Sequence, residues 1–283
     1  MAEPSLDDLE TPPTAIAELA AAALTAHTGI ARHDIALTLG SGWGRAAERL
    51  GRTVAVVPAE EVPGFTSSGV PGHSGTLTSI ELEHGLHALV IGARTHFYEG
   101  RGVRRVVHSV RTAAVAGARV MVLTNGAGGI RPEWAPGSPV LIADHINLTA
   151  ASPLEGATFV DLTDLYSARL RGLAREIDPT LDEGVYVQFR GPHYETPAEV
   201  AMARTIGGTI VGMSTALEAI AAREAGVEVL GMSLITNLAA GVQSTPLSHA
   251  EVLAAGREAE PRLADLLARI VGRIAADLAE HTA

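Results

Sequence analysis

The sequence of 283 residues contains no cysteine. Disulfide bonds, thiolate nucleophiles and cysteine-based metal sites are therefore excluded, and a reducing compartment is permitted. No apolar run approaches the length that a membrane span requires. The first residues, Met-Ala-Glu-Pro-Ser-Leu-Asp-Asp, are acidic and have no apolar segment, so they do not resemble a secretory signal. Together these absences predict a soluble, cytoplasmic protein that does not interact with a membrane.

Basic residues are also few in this chain. The chain has 21 Lys and Arg residues against 32 Asp and Glu residues, which gives a net charge of −11. A chain of this charge is a poor candidate for binding nucleic acid, and any anionic substrate requires a local pocket of donors. Apolar residues make up 47% of the chain and charged residues 19%, which indicates a globular protein with a sizeable core.

Apolar strands and helical segments alternate along the chain from residue 14 onward. Segments with strand character are 35–39, 120–124, 140–143, 185–189, 209–213 and 227–235, and segments with helix character are 14–28, 103–116, 165–177, 197–206, 215–225 and 248–278. No low-complexity linker interrupts them. The alternation predicts one α/β domain over residues 14–283, with a twisted, mostly parallel or mixed central sheet flanked by helices. Residues 1–13 are expected to form a flexible tail.

A glycine-rich loop, Gly40-Ser-Gly-Trp-Gly44, follows the first strand. Its glycines let backbone N–H groups turn towards an oxyanion, and the Ser41 hydroxyl adds a donor. A dinucleotide-binding loop is an alternative, because Glu60 lies at a suitable distance downstream for a ribose contact. However, the strict glycine spacing fails at Arg45. An ordinary structural turn remains equally open.

The segment Arg94-Thr-His-Phe-Tyr-Glu-Gly100 follows an apolar stretch. In an extended chain Arg94, His96 and Tyr98 share one face. An arginine fork and an imidazole suit a phosphate, and a tyrosine hydroxyl suits a sugar. The alternative is a solvated strand face. His73, on another glycine-flanked loop, is by itself more often a bystander.

Four later positions carry compatible chemistry. The run Thr124-Asn-Gly-Ala-Gly-Gly-Ile130 would let a flat ligand lie against the backbone, or would form a tight turn with positive φ. Ser214 is expected near a helix N-terminus, where its hydroxyl and the helix N–H groups could bind an anion or simply cap the helix. Asn237 ends a strand and either contacts a ligand or closes the next turn. His249 begins the last helix and either binds a ligand hydroxyl or is exposed.

The segment Arg190-Gly-Pro-His-Tyr-Glu-Thr-Pro197 is the most informative part of the chain. An ionised Glu195 only accepts hydrogen bonds, so it can contact N–H donors on the edge of a ligand while Tyr194 covers an apolar face. Pro197 suits the first turn of a following helix. The alternative is an ordinary turn with a solvated glutamate.

In this order, these segments resemble the purine nucleoside phosphorylases of the trimeric, 6-oxopurine-specific type. The resemblance covers about residues 35–255. It implies the nucleoside phosphorylase fold, and a reaction in which phosphate attacks the anomeric carbon of inosine, guanosine or their 2'-deoxy forms. The products are the free base and (deoxy)ribose 1-phosphate. No metal and no organic cofactor are implied, since inorganic phosphate is a co-substrate.

The resemblance also assigns roles to individual residues. Three are implied to be catalytic, namely Asn237, Glu195 and His96. The implied phosphate site consists of Ser41, His73, Arg94, Thr95, His96, Gly126 and Ser214. The implied ribose site consists of Tyr98, Met213, His249 and Phe159, and the implied base site of Tyr194, Glu195, Val211, Asn237 and Ala127.

Two residues depart from the vertebrate pattern of this family. Tyr194 stands where those enzymes have Phe, and Gly126 where they have Ala, which leaves the fine base preference open. Phe159 resembles the aromatic residue that each subunit lends to its neighbour, so the resemblance implies a homotrimer.

Three other functions compete with this interpretation. A methylthioadenosine phosphorylase would have Asp at position 237 and would lack the Glu195 arrangement. A non-catalytic nucleoside-binding protein would not need the phosphate residues, and a nicotinamide-dependent dehydrogenase would leave them unexplained.

Overall fold

The computed structural model describes residues 5–66, 75–243 and 245–281. Within them nine strands form one sheet: β1 (Ile35–Thr38), β2 (Arg52–Pro58), β3 (Thr76–Glu81), β4 (His87–Ile91), β5 (Val120–Gly129), β6 (Pro139–Asn147), β7 (Asp182–Gln188), β8 (Ile210–Gly212) and β9 (Glu228–Leu238). The α-helices are α1 (Pro13–Thr28), α2 (Ala47–Leu50), α3 (Val103–Val115), α4 (Ala168–Ile177), α5 (Pro197–Thr205), α6 (Ala216–Glu224) and α7 (His249–Glu280).

The sheet is mixed. Its strand order is β2-β3-β4-β1-β5-β8-β7-β6-β9, and β9 also pairs with β5, so that β5, β8, β7, β6 and β9 close into a ring. The pairs β1–β4, β1–β5, β5–β9, β6–β7 and β7–β8 are parallel, and the remaining pairs are antiparallel. The predicted α/β fold with a mostly parallel or mixed sheet is therefore confirmed.

Helices cover the sheet on two sides, each with its own hydrophobic core. Side chains from α1, α3 and α6 bury one set of strand residues, including Leu89 and Leu123. Side chains from α4 and α7 bury the opposite set, including Leu37 and Val122. Consecutive residues of β1 and β5 thus enter different cores, which explains why these strands are continuous apolar runs.

Sequence patterns did not predict β2 and β3. These strands run antiparallel at the edge of the sheet, and β3 pairs with β4. Val56 in β2 is 57% exposed, so the strand lacks the buried apolar run that identified β1. The predicted strand at 120–124 continues to Gly129, because its glycines pair with β8 and β9.

Part of the predicted N-terminal tail is described and contacts α3. Leu6 is buried, and Arg104 donates from Nη1 to the carbonyl of Asp8 at 2.6 Å and to that of Thr11 at 3.0 Å. Arg105 forms an ion pair with Asp7 at 2.6 Å. The division of the chain into a tail over residues 1–13 and one domain over residues 14–283 stays a prediction.

Helix α7 is 32 residues long and contains Pro261. Proline lacks the N–H group that would bond to the preceding turn. Most side chains before Pro261 are exposed or half-buried, whereas many of those after it, such as Leu263 and Leu267, enter the core. None of the helices in the described part of the chain has the length and apolarity that crossing a membrane requires.

The first half of α7 packs against the glycine-rich loop. A Cβ atom on Gly42 would lie 3.0 Å from the Cα of Gly256, and one on Gly256 equally close to the Cα of Gly42. Gly42 requires glycine, because its φ is 83° and a Cβ would also lie 2.5 Å from Cδ2 of Leu234. A side chain at Gly256 would require the loop backbone to shift. The backbone N–H of Arg45 donates to Oε1 of Glu260 at 3.1 Å. The loop and the helix are thus in direct contact.

Candidate functional site

A cleft lies where β1, β4, β5, β7, β8 and β9 end, as expected for a sheet of this kind. It encloses about 800 Å³, including its open mouth. Its lining residues come from all six strand ends and from the start of α7: Gly40, Ser41, Arg94, His96, Tyr98, Asn125, Gly126, Ala127, Gly128, Tyr194, Glu195, Val211, Gly212, Met213, Ser214, Thr236, Asn237, Ala239, Leu247, His249 and Val252. Most residues assigned from the sequence are among them.

Arg94 is the buried cation of the cleft, with 2% of its side chain exposed. Its Nε donates to Oε1 of Glu218 at 3.1 Å, and its Nη1 donates to the carbonyl of Thr124 at 2.7 Å. Its Nη2 is buried and has no partner among the described residues. Arg94 also lines the cleft, so this nitrogen is a candidate donor to an anion bound there.

The glycine-rich loop approaches Arg94 closely at Gly40. A Cβ atom on Gly40 would lie 2.6 Å from the carbonyl oxygen of Thr124 and 3.0 Å from Nη1 of Arg94. Only glycine fits there, and its N–H donates to Oγ1 of Thr124 at 3.0 Å. The loop is therefore held against β5, with Ser41 half-buried at the cleft.

Ser214 reaches the cleft, but the helix end beside it does not offer free N–H groups. Oε1 of Gln188 accepts from Ala216 N at 2.8 Å and from Leu217 N at 3.4 Å. The N–H of Thr215, the actual N-cap of α6, donates to Oε2 of Glu218 at 2.9 Å. The expectation that these helix N–H groups bind an anion is therefore wrong, because they already donate to the side-chain oxygens of Gln188 and Glu218. The Ser214 hydroxyl remains available to a ligand.

His96 and Tyr98 both line the cleft, although they do not lie on an extended chain as predicted. Residues 97–99 form a 3₁₀ turn that Gly100 ends with a φ of 74°. The two rings stack with centroids 4.8 Å apart. Glu99 accepts from the backbone N–H of His96 at 2.6 Å, and its side-chain hydrogen bond with His96 lowers the pKa of Glu99. The turn thus holds both side chains at the cleft.

Burial raises the pKa of Tyr98 to about 12, and the nearby Glu99 adds to the shift. Tyr98 therefore remains a neutral phenol and a hydrogen-bond donor throughout the physiological range. Gly191, with a φ of 69°, allows the loop after β7 to approach this turn, because a Cβ there would collide with Met213 and crowd Tyr98.

Glu195 is buried with 7% of the residue exposed. Its Oε1 has no hydrogen-bond partner among the described residues, and burial raises the pKa of its carboxyl. The cleft therefore contains an acceptor that a ligand N–H could satisfy. Tyr194, half-buried, lines the cleft beside it. The predicted start of the next helix is confirmed, since Pro197 occupies the first turn of α5 and Thr196 caps it.

Asn237 and the glycines of β5 form the adjoining wall. The Asn237 Nδ2 donates one hydrogen bond to Oγ1 of Thr236 at 3.0 Å, which leaves its second N–H. A Cβ on Gly126 would lie 3.2 Å from Thr236 and 3.4 Å from Ser41, and one on Gly128 would lie 3.0 Å from Val211. Gly126, Gly128 and Gly129 do not have positive φ, so the tight-turn alternative is wrong. Glycine suits these positions because the neighbouring side chains leave little room for a Cβ atom.

Other cleft residues were not singled out from the sequence. Ala239, Leu247 and Val252 line the cleft together with His249, which begins α7 as predicted, with Ser248 as its N-cap. The buried partner of Arg94, Glu218, was also missed. The spacing Thr215-x-x-Glu218 matches a capping box, which is the one sequence signal that pointed to this carboxylate.

Two assigned residues, Thr95 and Phe159, are not brought to the cleft by the structure. Phe159 is 94% exposed and lies in an irregular segment between β6 and α4. His73 lies outside the described residues. Glu60, the residue considered for a dinucleotide ribose, is exposed and does not line the cleft either. Within the described ranges no group of three or more His, Asp or Glu side chains is arranged to hold a metal.

Comparison with known proteins gives a consistent result. Residues 34–272 match the family model described as the phosphorylase superfamily. A purine nucleoside phosphorylase from Cellulomonas sp is 61% identical over 95% of this chain and 97% of its own length. Two solved structures of a Schistosoma purine nucleoside phosphorylase are also similar. The hypoxanthine complex (TM-score 0.83, 29% identity) covers 95% of this chain and 98% of its own, and the adenosine complex (TM-score 0.82, 30% identity) covers 90% and 96%.

Proposed function

Because the chain belongs to the purine nucleoside phosphorylases of the phosphorylase superfamily, we propose that its cleft catalyses phosphorolysis of 6-oxopurine nucleosides. Inosine, guanosine and their 2'-deoxy forms are the proposed substrates, and a role in purine salvage follows from the products. The observation that carries the proposal is a pair of buried, unpaired groups in one cleft: the Arg94 Nη2 donor and the Glu195 Oε1 acceptor. An anion satisfies the first, and an N–H edge satisfies the second.

The phosphate site is proposed at Arg94, His96, Ser41 and Ser214. A glycosidic bond breaks through a cation-like sugar, so a phosphate dianion held beneath the ring stabilises the transition state and supplies the nucleophile. Phosphate oxygen forms the new bond to the anomeric carbon as the bond to the purine nitrogen breaks. Tyr98, Met213 and His249 are the proposed ribose contacts.

The base site is proposed at Glu195 and Asn237. The leaving purine gains electron density at N7 and O6, and the second N–H of Asn237 can stabilise it there. Glu195 accepts from N1–H of a 6-oxopurine, and from a 2-amino group where one is present. A 6-aminopurine has no proton on N1, so it would leave a buried carboxylate unpaired, and this cost disfavours it.

A 6-amino specificity, as in a methylthioadenosine phosphorylase, is the second candidate. A Schistosoma mansoni relative has been solved with adenosine, so adenosine binding and adenosine cleavage need separate measurements. Asn237, which is an amide rather than a carboxylate, and the unpaired Glu195 favour 6-oxopurines.

Assembly and location complete the proposal. Phe159 is almost fully exposed, which suits an aromatic side chain that enters the sugar site of a neighbouring subunit in a homotrimer. The proposed reaction needs no metal or organic cofactor, and a cytoplasmic location fits a salvage enzyme.

The assembly is tested by light scattering, which should give a mass of three chains. Phe159→Ala should weaken nucleoside binding without changing that mass. A fully active monomer would contradict the assembly.

The reaction itself is tested by base release from inosine with and without phosphate. Cleavage should require phosphate and should yield ribose 1-phosphate in equal amount to hypoxanthine. Adenosine should be cleaved very poorly under the same conditions. Equal hydrolysis in phosphate-free buffer would show that the phosphate assignment is wrong.

A further inference from the structure

Arg94 is held by a carboxylate that does not itself line the cleft. Glu218, on α6, is 1% exposed. One of its oxygens accepts from Nε of Arg94 at 3.1 Å, and the other accepts from the backbone N–H of Thr215 at 2.9 Å. A single buried side chain therefore joins the guanidinium to the turn that carries Ser214.

That turn has an unusual backbone conformation at Thr215, with φ 83° and ψ −50°. For a β-branched residue this region is a genuine outlier, and it persists only where surrounding contacts enforce it. The contacts are the N–H bond to Glu218, a bond from Nδ2 of Asn125 to Oγ1 of Thr215 at 2.9 Å, and the Ser214 hydroxyl at 3.1 Å. Strain of this kind, adjacent to a cleft residue, is characteristic of functional sites.

We propose that Glu218 is a positioning residue for the co-substrate phosphate, which orients the Arg94 guanidinium and fixes the Ser214 hydroxyl beside it. The inference rests on the proposed function, since it concerns the same anion site. A guanidinium is planar, so hydrogen bonds at Nε and Nη1 determine where Nη2 points. Glu218 supplies the first of these bonds and the carbonyl of Thr124 the second.

Removing Glu218 has two opposing consequences for phosphate binding. It frees Arg94 and the turn at Thr215 to move, which weakens the hydrogen bonds to phosphate. It also removes a negative charge close to the anion, which strengthens the attraction. The positioning role requires the first effect to be larger, because the strongest hydrogen bonds to an anion come from charged donors in a fixed orientation.

The test measures the binding of inorganic phosphate and of hypoxanthine to Glu218→Ala and Glu218→Gln by isothermal titration. Glutamine keeps the size of the side chain but only one acceptor, so it can accept from Arg94 Nε or from Thr215 N–H, and not from both. Both variants should bind phosphate about tenfold more weakly or worse, and hypoxanthine as tightly as the wild type. In base-release kinetics the KM for phosphate should rise while the KM for inosine stays the same.

Glu224 provides a matched control on the same helix. Its Oε2 pairs with Nη2 of Arg111 at 3.1 Å, and neither residue lines the cleft. Arg111 is buried, so Glu224→Ala also leaves an arginine without its carboxylate. This variant should lose stability and keep the wild-type affinity for phosphate, which separates a loss of stability from a loss of positioning.

A double-mutant cycle with Arg94→Ala removes the remaining ambiguity. If Glu218 acts mainly through Arg94, adding Glu218→Ala to Arg94→Ala should weaken phosphate binding little further. The cycle needs both single variants, so Glu218→Gln, which keeps the volume of the side chain, takes the place of Glu218→Ala if that variant does not fold. Additive effects would overturn the role of Glu218 in orienting Arg94. So would tighter phosphate binding in either Glu218 variant, or an equal loss of hypoxanthine affinity.

The two proposals fail in distinguishable ways. A wild type that binds phosphate but does not cleave inosine contradicts the proposed reaction, and the titrations still decide the role of Glu218. A wild type that does not bind phosphate contradicts both.

Discussion

The two ends of the cleft are prepared for their ligands in different ways. At the phosphate end, Arg94 is already bonded to Glu218 and Thr124, and only one nitrogen is left for a ligand. At the base end, Glu195 is buried with an unpaired oxygen, and burial raises its pKa. One end has its charge compensated before the ligand arrives, whereas the other depends on the ligand for a partner. The fold therefore orients the guanidinium at the phosphate end, whereas the Glu195 carboxyl at the base end receives its hydrogen-bond partner from the substrate.

The largest effect is expected from Arg94→Ala, which removes the phosphate donor and leaves Glu218 buried without its partner. Phosphate affinity should fall by about a hundredfold or more, while hypoxanthine binding is largely retained. Losing one partner of a buried ion pair should also lower the free energy of unfolding by about 3–5 kcal/mol. Isothermal titration with both ligands and chemical denaturation measure the two effects. Unchanged stability would mean that Glu218 finds another partner, and that the phosphate end is less firmly organised than we infer.

Glu195→Ala tests the opposite end. A hydrogen bond to a charged group contributes about 1.5–3 kcal/mol, so kcat/KM for inosine should fall by roughly ten- to a hundredfold. Phosphate binding should stay near the wild-type value, because its proposed contacts lie on other strand ends. If this variant instead lost phosphate affinity and bound hypoxanthine normally, the two ends would be assigned the wrong way round.

Asn237→Asp tests whether the base end reads the substituent at position 6. A carboxyl group gives a 6-amino group an acceptor that the second N–H of Asn237 does not provide. The ratio of kcat/KM for adenosine to that for inosine should therefore rise, by about tenfold for one hydrogen bond of this kind. Kinetics with both nucleosides at saturating phosphate measure the ratio. A wild type that cleaves adenosine as fast as inosine would make the base assignment wrong at the outset.

The smallest effect concerns the stability of the unliganded protein. The folded-state pKa of Glu195 is raised, so the folded chain binds more protons than the unfolded chain in the interval just above the ordinary carboxyl pKa. Stability contributed by this group therefore falls as the pH rises through that interval. Glu195→Gln, which has no charge to bury, should be more stable than the wild type at pH 7, and this advantage should disappear in acid. Denaturation curves at both pH values measure it, and an advantage that persists in acid would exclude the electrostatic explanation.

Several elements at the centre of the sheet were predictable because their sequences are dominated by burial. The strands β1, β5 and β9 are nearly all buried, and a run such as Val-Met-Val-Leu has few other interpretations. The edge strands were not predictable, since β2 exposes most of its side chains. A strand with one buried side chain in seven has neither an apolar run nor a regular alternation, so its sequence is not distinguished from that of a loop.

The site was partly predictable for a related reason. Side chains at strand ends, such as Asn237 and Arg94, follow directly from the sheet, and they do reach the cleft. The partner of Arg94 was not predictable, because Glu218 lies 124 residues away along the chain. The same holds for Gln188, which occupies the N–H groups at the start of α6. Pairings of this kind depend on tertiary packing, and a single sequence does not record them.

The proline inside α7 has a consequence for the exchange of amide hydrogens. The segment before Pro261 has few core contacts, yet it carries His249 and packs on the Gly42 loop next to Ser41. Its amides should exchange with deuterated solvent sooner than those after Pro261, because the segment after Pro261 opens only when the core opens. A ligand that contacts both His249 and Ser41 should slow exchange in this first half alone. The helix thus combines a segment that reports occupancy of the cleft with one that reports the stability of the whole fold.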